Sequence, residues 1–494
     1  MKPSLRCSGM HYPALLFSAA SVFMLAGCAV GPDFQAPAAP KVLQYTPGMQ
    51  PTATVATTGP GGAAQRFEGG ADIPAQWWTA FHSSQLDALV RTALANSPTL
   101  SQAQATLREA QENFSAETGN SYPHVTAQLS NTRQQIDTAA LGAPNIPQSG
   151  PFTLYNVSLN ISYTVDVFGA NKRTLEGLQA QVENQAYQLQ AARLTMAGNV
   201  VTAAIKQAAL SAQIVDTGQM LQLQRDQLGI MEQRFAAGGI SNLDLMNQRT
   251  LLAQNEAMLP TLHQQLVQVS HQLAVYLGKA PAQADLQPLN LNMLTLPEAL
   301  PLSLPSMLAR QRPDIRAAEA TLHQYSAQVG VATANLYPQL TLSGSAGSEQ
   351  TSASHLANSI NVWNVGVALM QPLFNGGQLR AKRRSALAAY DAAAAAYQQT
   401  VLQALQQVAD VLRALENDAQ SLQARTQAAE SAANSLAIAQ RQYRAGGIAY
   451  LTLLDAQRQR QQTDLDRVTA QANRYTDTAA LLQALGGGWW NAPP

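Results

Sequence analysis

Charge is scarce in this chain. Of its 494 residues 12% are charged, and the 30 basic and 30 acidic side chains cancel, where an average soluble domain is about a quarter charged. A chain with no net charge and no basic stripe has nothing to grip a nucleic acid backbone. Cysteine is scarcer still, at positions 7 and 28 only, which excludes a disulfide framework and a metal-thiolate centre. The seven histidines show no paired ligand spacing, and His263 and His271 stand eight apart with no carboxylate between them. There is no phosphate-cradling loop, no dinucleotide fingerprint and no nucleophile elbow, so nothing points to an enzyme. After Cys28 no apolar run reaches the roughly 18 residues that a membrane-spanning helix needs. If the mature chain crosses a bilayer, it must cross as β-strands.

The N-terminus places the protein. Lys2 and Arg6 precede an apolar stretch from Pro13 to Ala26, and Leu25-Ala26-Gly27-Cys28 closes it with small residues. That is a secretory signal rather than a membrane span. It also resembles a bacterial lipoprotein signal, which implies cleavage before Cys28 and N-acyl and diacylglycerol lipid on that residue. Ala29 rather than aspartate follows, which in the same sorting pattern favours the outer membrane.

Beyond a Pro-, Gly-, Ala- and Thr-rich stretch at 31–76, read as an extended tether, two halves repeat each other. Asn120-Ser121-Tyr122-Pro123 recurs as Asn335-Leu336-Tyr337-Pro338, and Asp166-Val167-Phe168-Gly169 is echoed from Pro372 to Gly377. Phe235-Ala236-Ala237-Gly238-Gly239-Ile240 recurs as Tyr443-Arg444-Ala445-Gly446-Gly447-Ile448. The offsets of 215, 206 and 208 residues put an insertion of about nine residues between the first two landmarks of the first half, where a loop tolerates it.

Each half holds two strand candidates. Residues 123–130 alternate, and 155–166 alternate more cleanly, with Tyr155, Val157, Leu159, Ile161, Tyr163 and Val165 on one face. Residues 339–343 and 363–370 repeat the pattern. Such alternation fits a half-buried soluble strand as well as a lipid-facing one. Runs of about ten residues with aromatics toward their ends favour the barrel. Helical stretches fill most of the remainder. No proline occurs from Phe152 to Leu259 or from Leu373 to Asn491, so 170–237 and 377–445 predict two helices of coiled-coil length. Shorter helices are expected over 84–119, with a kink at Ser97-Pro98, and over 241–278, 303–336 and 450–485. Four strands cannot close a barrel, and open edges are forbidden in lipid, so the chain should oligomerise; the number of subunits is not readable from spacing.

The chain resembles the outer-membrane efflux protein family, the TolC-like outer-membrane factors, in its lipoprotein branch associated with RND-type tripartite pumps. The resemblance rests on Cys28-Ala29-Val30-Gly31-Pro32-Asp33-Phe34, Trp77-Trp78 with Phe81, Arg312-Pro313-Asp314-Ile315-Arg316, Gln371-Pro372-Leu373-Phe374-Asn375-Gly376-Gly377, Leu453-Leu454-Asp455-Ala456-Gln457-Arg458 and Leu485-Gly486-Gly487-Gly488-Trp489. It implies an α+β membrane protein of two tandem repeats. Each protomer of a homotrimer would give four strands to one twelve-stranded β-barrel, continuous with a long α-helical coiled-coil periplasmic tunnel. It further implies lipid anchoring in the cell outer membrane and docking to a periplasmic adaptor (membrane fusion protein) and an inner-membrane RND-type transporter. The expected function is passive conduction of drugs or other small toxic compounds outward, with metal-ion efflux or type I protein secretion as the alternative within the class.

The organisation that follows is a signal peptide at 1–27, then a lipidated tether and the start of an equatorial region at 28–83. A first repeat at 84–278 carries a β-hairpin at about 121–167. An equatorial linker spans 279–302, a second repeat at 303–485 carries a hairpin at about 336–373, and 486–494 is a tail. The family closes its tunnel at the periplasmic tip. Asp455 matches an acidic-ring position there, and Thr452 stands where some members carry a second acid. Arg458 matches a basic residue of the lipoprotein branch, and Tyr443 and Asp244 match residues tying inner to outer coiled coils. Asp455 and Arg458 also read as an ordinary solvated helix pair. Gly238-Gly239 and Gly446-Gly447 would form the helix-turn tips, where glycine tolerates positive φ.

Overall fold

The computed structural model describes residues 29–48, 52–135, 150–356 and 360–491. The signal peptide, Cys28 and much of the loop expected to hold the first-half insertion lie outside them. Six strands form among the described residues: β1 (Arg66–Gly69), β2 (His124–Gln134), β3 (Phe152–Val165), β4 (Ala299–Leu302), β5 (Gln339–Gln350) and β6 (Val362–Met370). Nine α-helices are described: α1 (Ser84–Asn96), α2 (Pro98–Thr118), α3 (Ala170–Ala236), α4 (Asn242–Glu256), α5 (Met258–Tyr276), α6 (Pro305–Gln311), α7 (Pro313–Ala334), α8 (Gln378–Arg444) and α9 (Tyr450–Ala484).

Proline decides where these helices stop. The Pro-free stretches give α3 and α8, 67 residues each, roughly 100 Å at 1.5 Å per residue. Proline disfavours the helical conformation in the residue before it. Ser97 accordingly sits at ψ 122° and Arg312 at ψ 125°, ending α1 and α6 just ahead of Pro98 and Pro313. The helix expected to run unbroken over 303–336 is therefore two. The stretch 241–278 is also two helices, because Pro260 has no N–H for the Glu256 carbonyl and α4 ends at that residue. Its counterpart α9 has no proline and runs 35 residues without a break.

The chain forms two compact units. One comprises 29–36, Arg108–Glu183 and Glu319–Ala396. Its sheet has the order β2-β3-β5-β6, antiparallel throughout. The register puts Val125, Ile161, Gly344 and Val365 in one row, and Thr126, Asn160, Ser345 and Asn364 in the next. One face is thus polar and the other apolar, and the apolar face is uncovered. Val125, Leu129, Leu159, Ile161, Val367 and Leu369 are all exposed, and Val365 reaches 78%. Nothing pairs with the outer edges of β2 and β6 among the described residues.

Below the sheet in the same unit, Arg173 is buried. It donates to Asp33 Oδ1 (2.7 Å), Glu176 Oε2 (2.6 Å) and the carbonyls of Val30 and Gly31. Glu176 also meets His323 Nε2 at 3.0 Å, and Phe34 stacks on that imidazole with ring centroids 4.4 Å apart. The segment from Val30 to Phe34 is therefore clamped through a charge, two carbonyls and a ring.

The other unit comprises Pro37–Leu107, Asn184–Ala318 and 397–491. Trp77, Trp78, Phe81, Leu86 and Val90 pack with Val200, Val201 and Ile205 of α3, and with Leu273, Tyr475 and Leu481. The tether reading fails for much of 52–76. β1 pairs in parallel with β4, from Arg66 opposite Ala299 to Gly69 opposite Leu302. Gln65 is buried, donating to the Pro297 carbonyl and the Thr478 hydroxyl, each at 3.0 Å. The linker 279–302 supplies Leu289, Leu291, Leu294, Leu296 and Leu300 to the same core. Arg312 reaches the Ala484 carbonyl at the end of α9 (2.8 Å), as well as Asp314 and Gln407. A cation on the last carbonyls of a helix opposes its dipole, and this explains the Arg-Pro-Asp motif without any catalytic role.

Candidate functional site

The two helix turns and the residues singled out beside them all belong to the second unit. Gly238 and Gly446 adopt φ +74° and +76°. The next amides reach back, Gly239 N–H to the Arg234 carbonyl (2.7 Å) and Gly447 N–H to the Gln442 carbonyl (2.8 Å). This is a glycine C-cap that satisfies carbonyls the helix end leaves open. The second glycines are less constrained. A Cβ on Gly447 would lie 3.5 Å from the Gln442 carbonyl oxygen, an ordinary contact, and one on Gly239 would lie 3.3 Å from that of Arg234. Gly446→Ala is therefore expected to lower the thermal unfolding midpoint, at about 1–2 kcal/mol for a non-glycine residue in the left-handed region. Gly447→Ala should leave it nearly unchanged, and melting curves of the two variants check this.

Behind the turns lies a small core of Met231, Leu245, Leu251, Leu436, Tyr450, Leu453 and Leu454, with Tyr443 and Ile448 at its margin. Tyr450 is its polar centre and was not among the residues singled out from the sequence. It donates to Gln248 Oε1, Gln248 donates to the Gln224 carbonyl (3.0 Å), and Asn255 donates to Gln224 Oε1 (2.9 Å). This buried amide chain ties α4 and α9 to α3. Burial pushes the Tyr450 hydroxyl pKa up. Tyr443 and Asp244 push the same way, and Arg458 opposes them. The electrostatic neighbours of Tyr450 thus include three of the five residues picked out for the gate.

Tyr443 packs tilted against Tyr450 with centroids 5.5 Å apart and carries the Arg234 guanidinium over its face at 5.8 Å. Asp244 is bonded within its own turn. The Ser241 hydroxyl accepts from the Asp244 N–H and donates to the Asp244 carboxylate at 2.8 Å. That is an N-cap with an acid in the first turn of α4. Asp455, Arg458 and Thr452 are exposed, and among the described residues Asp455 and Arg458 form no ion pair with each other. The helix pair that the spacing allows is not made, and both charges point to solvent. No group of three or more His, Cys, Asp or Glu among the described residues could hold a metal ion.

Comparison with known proteins gives this arrangement its context. The profile of the outer membrane efflux protein family matches residues 89–279 and 304–487. The chain is 31% identical over 418 residues to the pyoverdine export outer membrane protein OpmQ of Pseudomonas putida, covering 84% of this chain and 88% of that one. It is 28% identical over 484 residues to the antibiotic efflux pump outer membrane protein ArpC of Pseudomonas putida, covering 97% and 96%. Among solved structures, the outer-membrane channel OprN superposes with a TM-score of 0.83 at 28% identity, covering 94% of this chain and all of that one. The outer membrane protein VceC of Vibrio cholerae gives 0.78 at 27%, covering 84% and 100%. With a family match across both halves and the fold of known channels, this chain belongs to the outer membrane efflux protein family, and is an efflux channel rather than an enzyme.

Proposed function

We propose that three copies of this chain close a twelve-stranded barrel in the outer membrane, above a tunnel built from the long helices of two tandem repeats, 84–278 and 303–485. The observation that carries this reading is the four-stranded sheet with an exposed apolar face and two open edges. In water such a face would seek burial, and in lipid such edges would leave backbone groups unpaired. Lipid covers the face and sister copies pair the edges, since four strands fall short of the roughly eight that a barrel requires. Cys28 would carry the lipid anchor, held near the sheet by the Arg173 clamp on Val30–Phe34.

The glycine turns would present the surface that docks a periplasmic adaptor (membrane fusion protein), with an inner-membrane RND-type transporter supplying energy and selection. The cargo would be small organic compounds, as the names of the antibiotic and pyoverdine exporters suggest for those relatives. Asp455, exposed and unpaired, would form an acidic ring at the tip, its three copies repelling one another and disfavouring anions. Arg458, Thr452, Tyr443 and Asp244 would set how firmly that ring is held. Planar-bilayer recording tests the gate. The double variant Asp455→Ala with Arg458→Ala is expected to raise single-channel conductance, whereas an unchanged conductance would remove Asp455 from it.

A further inference from the structure

The charges around the sheet are distributed unevenly, and the unevenness follows the open edges. α8, the helix that follows edge strand β6, presents Arg380, Lys382, Arg383 and Arg384 at its start, all exposed, with no acid in its first turn. A helix N-terminus is itself positive by about half a charge, so these cations sit where they are least welcome. α2, the helix that precedes the other edge strand, β2, carries Glu109, Glu112 and Glu117 and no basic residue in its last turn. A helix C-terminus is negative, so Glu117 is misplaced in the same sense. Among the described residues none of these seven side chains forms an ion pair.

The inner strands show what the edges lack. By the repeat offset of 215, Glu109, Glu112 and Glu117 correspond to Gln324, Ala327 and Ala332 in α7, ahead of inner strand β5. All three are neutral. α3, which follows inner strand β3, also begins with cations, Lys172 and Arg173. There Asp33 and Glu176 pair with the buried Arg173, and Asp166 accepts from the Lys172 backbone N–H (2.8 Å) at the helix start, so that only the exposed Lys172 ammonium lacks an ion pair among these cations. In the second repeat Pro372 stands in place of Asp166 and Arg384 in place of Glu176. The two helices flanking the open edges thus carry clusters of unpaired charge of opposite sign beside the sheet, four cations at the start of α8 against three glutamates in α2, which also holds Arg108.

The geometry points to a charged seam between sister copies, in which Arg380, Lys382, Arg383 and Arg384 of one chain meet Glu109, Glu112 and Glu117 of the next. The inference rests on the proposed trimer and names the contact that selects its register and hand. A head-to-tail contact of this kind repeats around a closed ring, and each junction neutralises two helix ends that are unfavourably charged alone. Exposed pairs are individually weak, but clustered opposite charges steer assembly and penalise wrong partners.

Charge reversal tests it on the full-length protein. Glu112→Arg with Glu117→Arg on one side, or Arg380→Glu with Arg383→Glu and Arg384→Glu on the other, should each speed dissociation of the purified trimer by roughly tenfold or more. All five changes together should restore the wild-type rate, and high salt should speed dissociation of the wild type alone toward that of the half-reversed forms. A five-fold variant weaker than either half would overturn the seam. So would half-reversed trimers that keep the wild-type rate and differ only in retained anionic phospholipid, which would assign the cations to lipid instead. If a reversed chain fails to assemble, Glu117→Cys with Arg380→Cys replaces it, and an intersubunit disulfide is expected under mild oxidation. Absence of that crosslink in an intact wild-type-like trimer refutes the seam alone, whereas a wild-type chain that is no trimer refutes the reading beneath it.

Discussion

Val365→Arg is expected to abolish assembly of the protein in the outer membrane, while Asn364→Arg, one residue away, leaves a trimer. Val365 lies on the exposed apolar face, opposite Gly344 on β5, and Asn364 lies on the polar face, opposite Ser345. In the proposed barrel an arginine on the lipid face at mid-depth would cost about 2–4 kcal/mol per copy, and a closed ring of three would carry it three times. On the polar face the same side chain would meet water and change only the charge of the proposed lumen. The check is the amount of heat-modifiable oligomer in outer-membrane extracts of the two variants. Equal assembly would mean that the sheet does not separate lipid from water.

The second large effect is expected at Arg474. It is 0% exposed and bonds the Thr54 hydroxyl (2.9 Å) and the Ala63 carbonyl (2.6 Å), while its Nε and Nη1 have no hydrogen-bond partner. It is a buried cation fastening residues 52–65 to α9. Arg474→Ala removes these bonds and opens a cavity, with an expected loss of about 3–5 kcal/mol. The variant should melt earlier and be cut by protease between Thr52 and Gln65. Arg474→Met fills the volume without the charge, and such replacements are often neutral or stabilising. Recovery of the melting midpoint by methionine would assign Arg474 to packing, and continued protease sensitivity would assign it to its bonds with the segment.

Near this arginine, Asp418 of α8 and Asp477 of α9 form a carboxyl pair. Burial first, and then the Asp477 carboxyl, push the Asp418 pKa up to about 7, against the pull of Arg474. The folded protein therefore holds a proton that the unfolded chain, with an aspartate pKa near 3.9, releases. Stability from this pair is complete at low pH, falls as pH rises from about 4 to about 7, and is flat above. Asp418→Asn should remove that fall, so the variant gains on the wild type most above pH 7 in melting curves taken across the range. Parallel curves for the two proteins would contradict it.

Legibility in the sequence followed the range over which each pattern is written. Alternation at 155–166 is local, so β3 could be read from it, and the absence of proline over more than a hundred residues foretold α3 and α8. The kink at Ser97-Pro98 is readable from proline alone, and the same rule breaks the helices expected over 241–278 and 303–336 at Pro260 and Pro313. β1 and β4 are four residues each and more than 200 apart, too short to show a period and paired across a distance that spacing cannot reveal. Arg474 and Tyr450 look like ordinary helix-surface residues, because their burial comes from segments far away in sequence. Among the residues taken from the family resemblance, Tyr443, Asp244 and Arg458 converge on Tyr450, whereas Asp455 and Arg458 do not form the pair that their spacing permits.

The proposed function requires that the four strands lie in lipid and complete their pairing only with sister chains. Its most direct test is the mature chain with Cys28→Ser, which has no acyl anchor to hold it at a membrane. It is expected to require detergent for extraction and to sediment as a complex of three chains. A monomer that stays folded and dissolved in detergent-free buffer would contradict the claim.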